Sequence, residues 1–347
     1  MKKTSLKDLA KHLGLSQTTV SRGLSNYPEV TETTKALIRA AAAELNYAPS
    51  SSAQKLAMGR SFTIGHIVTL SQHMTINPVY ADFIAGAGET YAAHGYDMLL
   101  SMASKDQELA TYRNLTNAQK VDGFILSEPV PGDARIALLQ ELGIPFLVHG
   151  RAHSHAEDTK HYAWLDVDNR QGVYDGTSHL IAQGHHDIAF LNGPESLHFA
   201  LERRRGFEKA LQEASLTPHP SWLVSADMTE QQGYEHATRL LSEAKQPTAI
   251  ICSSVLMALG IQRAATAKGL SLGRDLSVLC WDDCLSGFHD SAQIPQFTAM
   301  QSSIFEAGAM IAELLISKII SPQSATPQTL LKAPLVEGKS TGPGPYF

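Results

Sequence analysis

Apolar positions recur at helical spacing through the first 48 residues, then at strand spacing from Phe62 onward. Leu6, Leu9, Ala10 and Leu13 form one stripe, opened by Ser5 with Asp8 three residues on and closed by Gly14. This is the start-and-stop chemistry of a short capped helix. Leu15 packs the turn, and Ser16 caps a second helix over 17–24. There Val20 and Leu24 point inward while Gln17, Thr18, Ser21 and Arg22 stay polar. Thr31 opens a third helix through Ile38, Ala41, Ala42 and Leu45, which Asn46-Tyr47-Ala48-Pro49 stops. Two helices joined by a tight glycine-containing turn and braced by a third make a helix-turn-helix, the architecture that lays one helix in a DNA groove.

After the serine-rich linker Pro49–Ser52, residues Ala53–Met58 could form one further short turn of helix before Gly59. Helices below about 12–15 residues are marginal in water, so this piece is expected to fold only when a partner holds it. Strand-like runs then follow at 62–70, 96–102, 122–127, 145–150, 187–193, 248–254 and 276–283. Helix-like segments alternate with them near 78–94, 105–119, 132–142, 169–184, 200–214, 229–243, 255–268 and 303–320. Alternation of this kind predicts parallel sheets covered by helices, and the stretch is long enough for two subdomains.

The 347 residues carry a net charge of −6, which looks unsuited to DNA until the chain is divided. Residues 1–60 hold nine Lys and Arg against four Asp and Glu, a balance of +5 that leaves −11 for the remainder. A basic head on an acidic body fits a polyanion-binding module. The absence of a continuous apolar run near the N-terminus, or of about 18 residues anywhere, argues against export and membrane insertion. Three cysteines (Cys252, Cys280, Cys284) supply no disulfide framework, so a cytoplasmic location is expected.

The N-terminal run SLKDLAKHLGLSQTTVSRGLSNYPEVTETTKALIRAAAAELNYAPSSSAQKLAMGRSFTIG resembles the LacI/GalR (lactose-repressor/galactose-repressor) family. The likeness continues in order through HGYDMLLS, VDGFILS, LGIPFLV, DVDN, GHHDIAFLNGP, RRRGFEKAL, GYEHATRLL, PTAIICSS, LMALG, SVLCWDD and KST. It implies an all-α helix-turn-helix domain at 1–48 and a hinge at 49–60. It further implies a periplasmic-binding-protein-like α/β effector and dimerisation domain at 61–347, built of two Rossmann-like subdomains. The first subdomain is expected over about 61–162 and 291–322, the second over about 163–290 and 323–340. The resemblance also implies a homodimer on a pseudo-palindromic operator of double-stranded DNA.

On that reading Gln17 and Thr18 occupy the family's base-reading positions, and Arg22 can make a bidentate contact with guanine. Ser5, Ser16, Thr19, Ser21, Asn26 and Thr31 are expected phosphate contacts, which position the head without reading sequence. Leu56 matches the family's apolar wedge in the minor groove, with Ala53 one turn before it. For the effector, Tyr80 matches a position that is often aromatic, Arg203 the arginine that grips ligand, and Asp282 an acid that accepts ligand hydrogen bonds. Asp168 in DVDN is a further candidate.

An arginine and a carboxylate on one ligand suit a polyhydroxylated sugar, whose hydroxyls both donate and accept. Ser254-Val255 stands where the family usually has Asn-Asp. Leu197 and Met228 stand where a purine-binding member has an arginine and an aromatic residue. A sugar such as an α-glucoside is therefore the expected effector of a carbohydrate operon's repressor; the alternative is a corepressor such as a nucleobase. No cofactor or catalytic group is expected. Ala85-Gly86-Ala87-Gly88 lies inside a helix rather than after a strand, against a dinucleotide fold. Fifteen histidines, among them His149, His153, His155 and His161, lack the partners of a metal site.

Overall fold

The computed structural model describes residues 4–24, 27–47, 59–69, 78–152, 161–288 and 294–345. Asn26 and most of the expected hinge, with Ala53 and Leu56, lie outside the described residues. The chain divides into two units, Met1–Phe62 and Thr63–Phe347.

The first unit holds α1 (Leu6–Leu13), α2 (Gln17–Leu24) and α3 (Glu32–Glu44). Ser5 and Asp8 form a reciprocal capping box on α1, and Gly14 ends the helix in the left-handed conformation (φ 64°). Leu9, Val20 and Ile38, one from each helix, are fully buried and meet with Ala10, Ala41 and Ala42 in a small core. So few buried side chains leave caps worth about 1 kcal/mol each as a large share of the head's stability.

The second unit contains two six-stranded sheets. Its elements run β1 (Thr63–Thr69), α4 (Pro78–Ala93), β2 (Asp97–Ala103), α5 (Glu108–Asn117), β3 (Gly123–Leu126), α6 (Ala134–Leu142), β4 (Phe146–His149) and β5 (Trp164–Val167). They continue through α7 (Asn169–Ala182), β6 (Ile188–Asn192), α8 (His198–Glu213), β7 (Leu223–Ser225), α9 (Glu230–Leu240), β8 (Ala249–Cys252), α10 (Val255–Ala267) and β9 (Ser277–Asp282). The last are β10 (Thr298–Gln301), α11 (Ile304–Ile320), β11 (Gln328–Leu331) and β12 (Leu335–Val336). The first lobe has strand order β11-β5-β4-β3-β1-β2, all parallel. The second has β12-β10-β9-β8-β6-β7, with only the β12 edge antiparallel.

The predicted lobe boundaries need correction. β5 pairs within the first sheet, so the chain crosses near Asp168 rather than at 162. β10 pairs with β9 in the second sheet, which moves the return from 290 to about Ser302. β11 lies beside β5, which moves the last crossing from 322 to the segment between β11 and β12. β5, β7, β10, β11 and β12 are short, and single polar residues such as Asp166 and Gln301 break their apolar runs. No run of this kind is distinguishable from a loop until a neighbour pairs with it.

Helices pack close on each lobe. A Cβ on Gly86 of α4 would sit 2.0 Å from the Phe305 carbonyl oxygen of α11, so glycine is what lets these two backbones touch. Phe124 in the first lobe and Phe190, stacked on Phe207, in the second are buried core anchors. Each contributes roughly 2–3 kcal/mol by leaving water.

Candidate effector cleft and DNA-reading face

In open α/β sheets, ligands bind beyond the carboxyl ends of the strands, where the strand order reverses. Both sheets end at one cavity. Ser127, Glu128 and Pro129 follow β3, His149 ends β4, Gly150 and Arg151 follow it, and Asp166 and Val167 close β5. Ser253 follows β8, while Trp281 and Asp283 come from the end of β9. Helices complete the wall with Tyr80 and Phe83 from α4, Phe199 and Arg203 from α8, and Ile304 from α11.

The second lobe builds its side around Arg203, which is 5% exposed. Its guanidinium lies 3.8 Å from the centroid of the Trp281 ring and 4.8 Å from that of Phe199. Nε donates to Asn169 Oδ1 at 2.8 Å, and Nη1 donates to the Ser253 carbonyl at 2.9 Å. The remaining N–H groups have no hydrogen-bond partner among the described residues. Burial lowers the Arg203 pKa to about 10, opposed by the charge of Asp283. Burial likewise pushes the Asp283 carboxyl up to about 6, with Arg203 opposing. The pair faces one cavity without closing into an ion pair.

The first lobe is built differently. Arg151 Nε donates to Asp166 Oδ2 at 2.7 Å, a paired charge, and the Val167 N–H donates to Asp166 Oδ1 at 2.8 Å. Burial still raises the Asp166 pKa, Arg151 opposing it. His149 stacks on Phe83 with centroids 4.5 Å apart. The Tyr80 hydroxyl lies 3.5 Å from Nδ1 of buried His66, whose Nε2 is 2.9 Å from the Tyr91 hydroxyl. Burial depresses both histidines to about 4, so these two rings are neutral at pH 7.

On the head, Gln17, Thr18 and Arg22 are exposed along α2, while Val20 and Gly23 are buried against the other helices. The Ser5, Ser16 and Thr31 hydroxyls each accept a backbone N–H three residues ahead. Thr19 hydrogen-bonds Ser16 at 2.8 Å, and Ser21 is half-buried.

The family model for bacterial regulatory proteins of the lacI family matches residues 5–50. That for periplasmic binding proteins and the sugar binding domain of the LacI family matches 61–336, most of the chain. The chain belongs to the LacI family. It is a DNA-binding transcriptional regulator and not an enzyme. It is 38% identical to the HTH-type transcriptional regulator AglR of Rhizobium meliloti (strain 1021), over 98% of this chain and 95% of AglR. It is 31% identical to the HTH-type transcriptional repressor PurR of Edwardsiella ictaluri (strain 93-146), over 99% of this chain and 98% of PurR. Among solved structures it resembles the lac repressor dimer bound to operator and the anti-inducer ONPF. The TM-score is 0.80 at 29% identity, over 98% of this chain and 99% of the other. A transcriptional regulator CelR–cellobiose complex matches with a TM-score of 0.70 at 25% identity, over 97% of this chain and all of that one.

Within this LacI-family frame, two of the four predicted effector residues reach the cavity. Tyr80 and Arg203 line it. Asp282 does not: its carboxylate accepts the Cys284 N–H at 2.9 Å and Gln301 Nε2 at 3.1 Å, and its neighbour Asp283 faces the cleft instead. Successive strand residues point to opposite faces, so a one-residue error exchanges cavity for back wall. Asp168 caps α7 by accepting the Gln171 N–H at 3.0 Å, and Asp166 and Asn169 on either side line the cavity. Sequence reasoning missed Arg151, Asp166, His149 and Trp281. The alternation around Asp282 could have pointed to Trp281 and Asp283 together; nothing local marks Arg151. Cys280 is buried, and burial pushes its thiol well above the ordinary range. Among the described residues no helix is long and apolar enough to cross a membrane.

Proposed function

We propose that this regulator is a cytoplasmic homodimeric repressor of a carbohydrate-utilisation operon, released from a pseudo-palindromic operator when a small sugar occupies the cleft. One observation carries the ligand class. Arg203 is buried over the Trp281 ring, held by two neutral acceptors, with N–H groups to spare and Asp283 beside the same cavity. A polyhydroxylated ring can pack against the half-buried Tyr80 and Phe199 rings while its hydroxyls accept from the guanidinium and donate to the carboxylate. The cellobiose held by the CelR neighbour and the sugar-binding description of the matching family model support the same class.

The alternative reading of the sequence is a nucleobase corepressor. Against it, Met228 stands at the cavity and Leu197 precedes α8, where a purine site calls for an aromatic face and an arginine. In the head, Gln17, Thr18 and Arg22 read bases, with Ser5, Ser16, Thr19, Ser21, Asn26 and Thr31 near phosphates. Leu56, with Ala53 beside it, wedges the minor groove. The homodimer follows the lac repressor, seen as a dimer on operator. Cleft closure then alters the paired hinges, which is allostery through an order–disorder element.

A thermal-shift screen of α-glucosides, β-glucosides, monosaccharides and nucleobases, followed by operator gel shifts with each hit, tests this. A sugar hit that weakens operator binding is the expected result. A nucleobase hit, or a sugar that tightens DNA binding, overturns the ligand class or the sign respectively. Leu56→Ala is expected to weaken operator binding and leave sugar affinity intact; an unchanged gel shift overturns the wedge.

A further inference from the structure

Two surface residues join the lobes at the rim of the cleft. Asp82 lies on α4, which packs against α11 in the first lobe. Ser286 opens the short 3-10 turn Ser286–Phe288 that follows β9 in the second. They are 204 residues apart in sequence. Asp82 Oδ2 nevertheless accepts the Ser286 N–H at 2.6 Å, and Oδ1 accepts the Ser286 hydroxyl at 2.6 Å. One carboxylate therefore grips both donors of a single residue, the short charge-assisted geometry that is stronger than a neutral contact. Backbone bonds also join the lobes, from the His198 N–H to the Pro129 carbonyl at 3.4 Å and, where the chain crosses into α11, from the Ile304 N–H to the Asp283 carbonyl at 3.0 Å.

Place matters as much as distance. The helix that carries Asp82 also presents Tyr80 and Phe83 to the cavity, and Asp283, which lines it too, lies three residues before Ser286 in the segment after β9. A ligand bridging the two lobes and the Asp82–Ser286 contact would thus pull on the same helix and the same segment. Neither Asp82 nor Ser286 lines the cavity, so the contact is not consumed by whatever occupies it.

We propose that Asp82 and Ser286 form a clasp that holds the cleft closed and so sets how readily the effector escapes. Apparent affinity scales with the fraction of molecules in the binding-competent form, so a clasp outside the cavity tunes response without touching ligand. That consequence rests on the cleft being the effector site; the clasp itself does not.

The test is a lobe-to-lobe distance measurement on the full-length protein by double electron–electron resonance. Spin labels go on ketone-bearing residues introduced at exposed Ala118 in the first lobe and Ala244 in the second. Asp82→Ala removes both bonds and is expected to raise the open-to-closed ratio about fivefold. Ser286→Ala removes the hydroxyl bond alone and should raise it about twofold, whereas Ser286→Thr, which keeps both donors, restores the parent distribution. A distribution for Asp82→Ala matching the parent's, in protein shown folded by circular dichroism, overturns the clasp. Should Asp82→Ala not fold, an unchanged distribution for Ser286→Ala overturns it equally. A loss in Ser286→Thr as large as in Ser286→Ala also overturns it, because packing rather than the two donors would then hold the turn. No ligand enters the measurement, so failure of the sugar screen and failure of the clasp are told apart.

Discussion

Each lobe brings one arginine to the cleft, and the two are held in opposite ways. Arg151 of the first lobe is tied to the buried carboxylate of Asp166 at 2.7 Å. Arg203 of the second is more deeply buried, yet its bonded partners are an amide oxygen and a backbone carbonyl. The first charge is already satisfied and belongs to the architecture. The second stays available, steadied by two aromatic rings and neutral dipoles. Burial of a charge without an ion-pair partner is costly, and a fold retains it where a ligand uses it. The contrast separates an arginine already paired with a carboxylate from one with donors to spare, inside a single cavity.

Removing the paired arginine should produce the largest effect. Arg151→Ala strands Asp166 in the interior and is expected to cost about 3 kcal/mol of stability, measured by urea unfolding. If the cleft arginines are instead equivalent, Arg203→Ala will destabilise as much. We expect it to unfold near the parent midpoint while losing roughly a hundredfold in affinity for the sugar found by the screen, read by calorimetric titration.

Asp283 sharpens the comparison through pH. Burial holds its pKa at about 6 against an ordinary 3.8. Between those values the folded protein binds more protons than the unfolded chain, so this group's contribution to stability falls as pH rises through that window. Asp283→Asn should remove the slope and stabilise the protein at pH 7 by about 2 kcal/mol. His66 and His149, depressed to about 4, act in the opposite sense: their contribution is lost as pH falls from 6.5 toward 4. Unfolding of the parent and Asp283→Asn side by side at pH 4 and 7 cancels that background. A constant difference between the two proteins would contradict the assignment.

The smallest expected effect comes from making the second lobe imitate the first. Asn169→Asp places a carboxylate where Arg203 Nε now meets an amide oxygen. Pairing the charge should lower sugar affinity about tenfold, while the new carboxylate gives up the Asn169 Nδ2 bonds to the Val167 carbonyl and Asp166 Oδ1. Unchanged affinity would mean that the availability of Arg203 is not what the ligand reads.

Much of this molecule was legible in the sequence, and the parts that were share a cause. Helices of the head were readable because caps and stripes are local: Ser5 with Asp8, Gly14, and Leu9 at its spacing from Leu13 all act within one or two turns. The order of strands and helices in the body, and Arg203 within RRRGF, were likewise accessible from short-range pattern and family resemblance. Facts that depend on how distant segments align stayed closed. The short strand β5 reveals its lobe only by pairing with β4 and β11. Asp282 and Asp283 are chemically identical neighbours, and only the orientation of β9 sends one to the back wall and the other to the cleft. Arg151 finds Asp166 fifteen residues on, and Asp82 finds Ser286 across 204. Local chemistry along the chain determines which elements form; which charge is paired, which keeps N–H groups to spare, and what bridges the cleft are decided by sheet register and lobe packing, because these set distances that no short window of sequence contains.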